Sequence, residues 1–187
     1  MTQALLLAAT KSKPQRTMLG FLFRGLTAEP ARGAALFEAL TAEARRPHWF
    51  VEGAVPDTLD GRFALLTTIT ALTLVRLEQE GETGEALAVA LTERFIEVME
   101  SEHRELGLGD PTLGRTVRKL VGMLAKRTEL WRKAPGGQTG WYEATRKSVY
   151  KGAPDAEALR HCADAIKRFA ERLDGLALAE LEQGRTG

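Results

Sequence analysis

Cysteine is almost missing from this 187-residue chain: Cys162 is the only one, which excludes an intramolecular disulfide and makes a reducing, cytoplasmic compartment the default expectation. Net charge is nearly missing as well, since 26 Lys and Arg stand against 25 Asp and Glu for a formal +1. A surface that is uniformly a nucleic-acid clamp is therefore excluded, and no DNA partner is expected. Long apolar runs are lacking too. The longest charge-free stretch after the N-terminus, Phe63 to Val75, falls well short of the roughly 20 residues of a membrane span. Met1 to Thr10 has no basic residue ahead of its short apolar run, so a secretory signal is not expected. Strand-like alternation is scarce, and the chemistry-bearing residue types are few, with three histidines in all.

What is present is helical periodicity. It predicts an all-α single domain of about six helices, at about 31–46, 62–79, 85–106, 110–133, 141–150 and 156–181. The second of these is apolar nearly all round, with threonines as its only polar residues before Arg76, which marks the buried centre of a bundle. We expect residues 1–30 to form an N-terminal extension, 31–182 the helical domain and 183–187 a frayed tail. Within the extension, Met18 to Phe23 is an apolar plug between Arg16 and Arg24, a candidate first-turn packing element or membrane or partner contact.

Charge is segregated although its sum is not. Leu77 to Glu105 carries nine acids and two basic residues, whereas Pro111 to Lys151 carries ten basic residues and two acids. This predicts an acidic end and a basic end of the domain. At 100° per residue, Arg115, Arg118, Lys119, Lys126 and Lys133 fall within about a third of one helix's circumference. Separated fields suit docking better than small-molecule chemistry.

Catalytic and metal constellations are poor. Glu97, Glu100 and His103 share a helix face but lack the second Glu-x-x-His that a carboxylate-bridged di-iron site needs. His161 and Cys162 are adjacent and so point about 100° apart. Cys162 reads as a small core residue, and His48 has no second His or Cys at ligand spacing. Gly107 to Asp110 joins two helices rather than following a strand, so helix stop and restart explain it better than a phosphate loop. No catalytic residue, metal or cofactor is expected.

One cluster resists a local account. Val55-Pro56-Asp57-Thr58-Leu59-Asp60-Gly61-Arg62-Phe63 supplies turn and cap chemistry, yet it places Arg62 at a helix start, where the dipole disfavours a cation. A buried partner such as Asp57, Glu105 or Asp110 would explain Arg62. The same nine residues carry a family resemblance. The chain resembles the ubiquinol-cytochrome c chaperone family, from about Arg45 to Arg127 and more loosely from Leu22 to Tyr150. Arg46-Pro47-x-Trp49-Phe50 and the Val55–Phe63 signature are similar to that family's, as is Phe95-x-x-x-Met99 with Arg104-Glu105-x-Gly107-x-Gly109-Asp110 after it. Where the family usually has Tyr-Gly-Arg, this chain has Ala125-Lys126-Arg127, and the histidine common in the central helix is replaced at Ile69 or Thr70.

The resemblance implies a non-enzymatic assembly factor for the cytochrome bc complex, respiratory complex III. It implies binding of newly made cytochrome b or an early intermediate, together with a small partner subunit, the ribosome and a peripheral inner-membrane position. The signature residues are Pro56, Asp57, Asp60, Gly61, Arg62, Phe63, Arg104, Glu105, Gly107, Gly109 and Asp110. The basic stripe and Trp141-Tyr142 are the candidate partner contacts. The other reading is a ribosome- or RNA-associated helical protein that uses the basic helix, 112–133.

Overall fold

A computed structural model describes residues 32–105, 113–134 and 138–187. The N-terminal extension, with its Met18–Phe23 plug, and the residues Gly107, Gly109 and Asp110 lie outside the described residues. Among those described there are seven α-helices and no strand: α1 Ala34–Ala44, α2 Leu59–Glu78, α3 Gly81–Glu105, α4 Leu113–Lys133, α5 Gln138–Val149, α6 Ala156–Asp174 and α7 Leu178–Glu182. A 3-10 turn at Pro47–Trp49 follows α1.

The central helix is α2, which packs against α1, α3, α4, α5 and α6. Its buried threonines explain how so long a helix can be enclosed. The hydroxyls of Thr67, Thr68 and Thr73 donate to the carbonyls of Phe63, Ala64 and Ile69 one turn back, so three polar groups are satisfied inside the helix itself. Around α2 lie Trp49, Phe95, Trp131 and Phe169, all essentially without exposure. Phe95 takes an edge-on contact from Phe37 and a tilted one from Phe63.

Three expectations are corrected. α2 begins at Leu59 rather than Arg62, because Thr58 is extended and its hydroxyl accepts from the Gly61 N–H at 3.2 Å. α3 begins at Gly81 and runs straight through Gly84. A side chain on Gly84 would run into the Leu77 carbonyl, so that glycine permits a close helix crossing and does not break the helix. The last predicted helix is two. α6 stops at Asp174, the Gly175 N–H bonds back to Glu171 and Arg172, and α7 starts at Leu178.

The tail departs from the frayed expectation as well. Gly184 turns with φ +80°, the Arg185 N–H bonds to the Glu180 carbonyl at 3.0 Å, and Gly184 sits too close to the Ala35 carbonyl for a side chain. Nor are the acidic and basic segments at opposite ends: α3 and α4 pack against one another. No helix among the described residues is long and apolar enough to cross a membrane.

Candidate functional site

The signature turn divides into a buried half and an exposed half. Trp49 anchors its approach, buried completely and donating its indole N–H to the Glu43 carbonyl at 2.9 Å. Val55 is buried, and Gly61 packs so closely on the Pro56 carbonyl that a methyl group could not fit. These residues shape the turn. Asp57, Leu59, Asp60 and Arg62 instead face solvent, and Leu59 is 62% exposed. Arg62 Nε meets Asp57 Oδ1 at 2.6 Å, and its guanidinium carbon lies 5.8 Å from the Phe50 ring centroid. Asp57 is thus the partner of Arg62, but the pair is exposed on both sides, at 57% and 56%, and not buried as expected. Hydrogen bonding to Arg62 holds the Asp57 carboxyl below its usual range.

Asp60, in the first turn of α2, pairs with a residue just past α5 and lies near the basic helix α4. Lys151 Nζ lies 2.6 Å from Asp60 Oδ2, and this bond, with Lys119 nearby, lowers the Asp60 pKa. The N-terminal part of α4 therefore borders the signature. All five stripe residues are exposed. Lys133 is engaged by Glu129 at 2.6 Å, while Arg115, Arg118 and Lys126 have no ion pair among the described residues. Val121, 40% exposed, adds an apolar element to the same helix.

The other candidates lie apart from this junction. Trp141 is half-buried and tilted against Trp131, with ring centroids 5.5 Å apart, and Tyr142 beside it is half-buried. Both sit near the C-terminal end of α4, as does Lys133. Arg104 and Glu105 occupy the last turn of α3, with side chains outside the described residues.

Two features escaped the sequence. His48 Nδ1 and His161 Nε2 are 3.0 Å apart, with rings edge to face, across 113 positions of chain. Burial first, then the neighbouring His161, pushes the His48 pKa down. Beside them opens a polar cleft of about 480 Å³ lined by Glu52, Asp155, His161, Asp164 and Arg168. Among the described residues no group of three or more His, Cys, Asp or Glu is placed to hold a metal ion. Cys162 is fully buried against the Gly53 carbonyl, and burial raises its thiol pKa. The second missed feature is Arg76, 8% exposed, which donates to the carbonyls of Leu173 and Leu176 at 3.1 and 2.9 Å and so secures the end of α6.

Against known proteins, no curated sequence matches the chain. Among solved structures, the crystal structure of the Cbp3 homolog from Brucella abortus superposes with a TM-score of 0.73 at 22% identity, covering 90% of this chain and 94% of that one. At that identity the likeness is one of fold. The profile of the family described as Ubiquinol-cytochrome C chaperone matches residues 52–186, beginning just before the signature and reaching beyond the Tyr150 limit of the sequence reading to include α6 and α7. With most of its length matched in this way, the chain belongs to the ubiquinol-cytochrome c chaperone family.

Proposed function

We propose that the protein is an assembly chaperone for the cytochrome bc complex, binding newly made cytochrome b or an early intermediate at the cytoplasmic face of an inner membrane. Family membership supports the general role. The observation that carries the choice of surface is the junction of the exposed signature half with the unpaired cations of α4. Leu59 stands exposed between the Asp57–Arg62 and Asp60–Lys151 pairs, an apolar contact point with a charged rim. Arg115, Arg118 and Lys126 supply a field that would steer an acidic segment of the client or its partner subunit toward it. The proposed role is binding, with no chemical step. Salt should weaken it.

Crosslinked pull-down from membranes, followed by mass spectrometry, tests the reading. Cytochrome b should be recovered with the wild type and lost on Leu59→Asp or on charge reversal of Arg115, Arg118 and Lys126. Deletion should deplete assembled cytochrome bc complex while other respiratory complexes remain. Normal levels of the complex after deletion would overturn it. The unpaired cations of α4 also favour a second reading, a ribosome- or RNA-associated protein. Ribosome co-sedimentation that persists without cytochrome b and vanishes on reversal of Arg115, Lys119 and Lys126 would select it.

A further inference from the structure

Buried polar atoms are almost always paired, so a cluster of unpaired ones asks for a missing partner. One such cluster lies where α2, α4 and α5 meet. Arg127 Nε, Trp131 Nε1, Thr145 Oγ1, Ser148 Oγ and Thr70 Oγ1 are all enclosed and have no hydrogen-bond partner among the described residues. Thr70 and Thr145 are 0% exposed, Trp131 1% and Ser148 2%.

The register of the three helices sets their residues at neighbouring levels of one junction. Trp131 stacks against Trp141, and Arg127 Nη2 donates to the Ser148 carbonyl at 3.0 Å, so α4 and α5 run antiparallel with Thr145 between those two contacts. Arg127 and Trp131 are one turn apart on α4, as are Thr145 and Ser148 on α5, so each pair shares a face. α2 runs alongside α4 in the same direction: Asp60 lies near Lys119 at one end, and Glu78 pairs with Arg132 at the other. Thr70 therefore falls within about one helical turn of the level of Arg127.

The donors decide what is missing. An indole N–H and a guanidinium N–H can only donate, and three hydroxyls can add further donors, so the site calls for an acceptor. It also calls for negative charge. Other arginines with a buried, unpaired nitrogen have a carboxylate: Arg76 has Glu80, Arg94 has Glu97 and Arg172 has Glu43. Arg127 has none among the described residues, although burial opposes its charge. The two acids of the basic segment are already taken, Glu129 by Arg132 and Lys133, and Glu143, held at about 2, by Arg146 and Lys147. Water could satisfy the hydroxyls but would leave the cation uncompensated. A phosphate would bring a second charge into a packed interface, at a greater desolvation cost.

We propose that the junction of α2, α4 and α5 binds a small monovalent anion of chloride size, held by Arg127 Nε, Trp131 Nε1 and the hydroxyls of Thr145 and Ser148, with Thr70 at its edge. The anion completes the α4–α5 interface. Its effect is to lock the basic helix onto the bundle.

Thermal unfolding of the full chain in chloride, bromide or gluconate at equal ionic strength tests this. Saturating chloride or bromide should raise the midpoint by roughly 3 °C over gluconate. Arg127→Gln and Thr145→Val should fold and lose that difference. Crystals grown in bromide should show an anomalous peak within hydrogen-bond distance of Arg127 Nε and Trp131 Nε1. Equal midpoints in all three anions, a rise that persists in Arg127→Gln, or density for water alone would overturn the proposal. Should Arg127→Gln fail to fold, the anomalous peak in the wild type, present or not, decides.

Discussion

Two junctions against the central helix α2 hold arginines in contrasting ways. Around Arg76, where α2 meets α6, the guanidinium reaches two carbonyls and has Glu80 and Asp174 within ion-pair distance at 2.7 and 3.7 Å. The same side of the molecule satisfies Trp49 through the Glu43 carbonyl and Tyr150 through the Gly53 carbonyl at 2.5 Å. Around Arg127, where α2 meets α4 and α5, one carbonyl serves the guanidinium while an indole and three hydroxyls stay unpaired. On the α6 side the arginine's charge is balanced by carboxylates, although its Nη1 stays unpaired. The α4–α5 side, which carries the basic stripe, is unfinished and open to completion by something outside the chain.

Substitutions at the two junctions should differ in cost. Arg76→Ala should cost the most, about 3 kcal/mol in a urea titration, because it strips the end of α6 of two donors and leaves Glu80 and Asp174 unpaired. A loss below about 1 kcal/mol would break the comparison. Gly53→Ala should cost about 2 kcal/mol, since the new methyl would press on the Cys162 sulfur and come within 2.6 Å of the Trp49 carbonyl. Arg127→Met, measured in gluconate, should cost less than about 1 kcal/mol, because it gives up one hydrogen bond and removes an uncompensated charge. A cost matching that of Arg76→Ala would show that Arg127 already has a partner.

Acidification probes the α6 side through His48. Burial first, then His161 and Arg46, hold the folded pKa of His48 below the unfolded 6.5, against the opposing pull of Glu43 and Glu52. As pH falls through 6.5 the unfolded chain takes up the proton first, so stability declines until the folded pKa is passed and then levels. A urea midpoint that is lower at pH about 5.5 than at about 7.5, with a shallower drop in His48→Gln, is the expected result. Arg62→Ala should have the smallest effect, leaving the midpoint nearly unchanged because the Asp57 pair is exposed, and thereby separating its role at the surface from folding.

Much of this was legible in the chain and some was not. The apolar, threonine-rich run of α2 announced the bundle's centre, and a cap for α2 somewhere in the Val55–Phe63 turn was within reach of its chemistry. Thr58 proved to be the cap. The exposure of the Asp57–Arg62 pair was not legible, because a helix-start arginine looks the same in sequence whether its partner is buried or solvated. The break at Gly175 was hidden by an apolar pattern that continues through Leu178 and Leu181; it becomes visible once Arg76, from another helix, is seen holding the carbonyls there. His48 and His161 each lacked a partner at ligand spacing, and only the packing of the 3-10 turn on α6 makes them a pair.

By itself the sequence determined the helical class, the central helix, the signature turn and the segregation of charge, because each is written in local periodicity, capping chemistry or composition. Tertiary structure alone decided which cations find carboxylates, that the acidic and basic helices are neighbours, that the basic helix borders the exposed half of the signature, and that five buried polar atoms on α2, α4 and α5 go without a partner among the described residues. Burial and pairing depend on residues far apart in the chain, and no local pattern carries them.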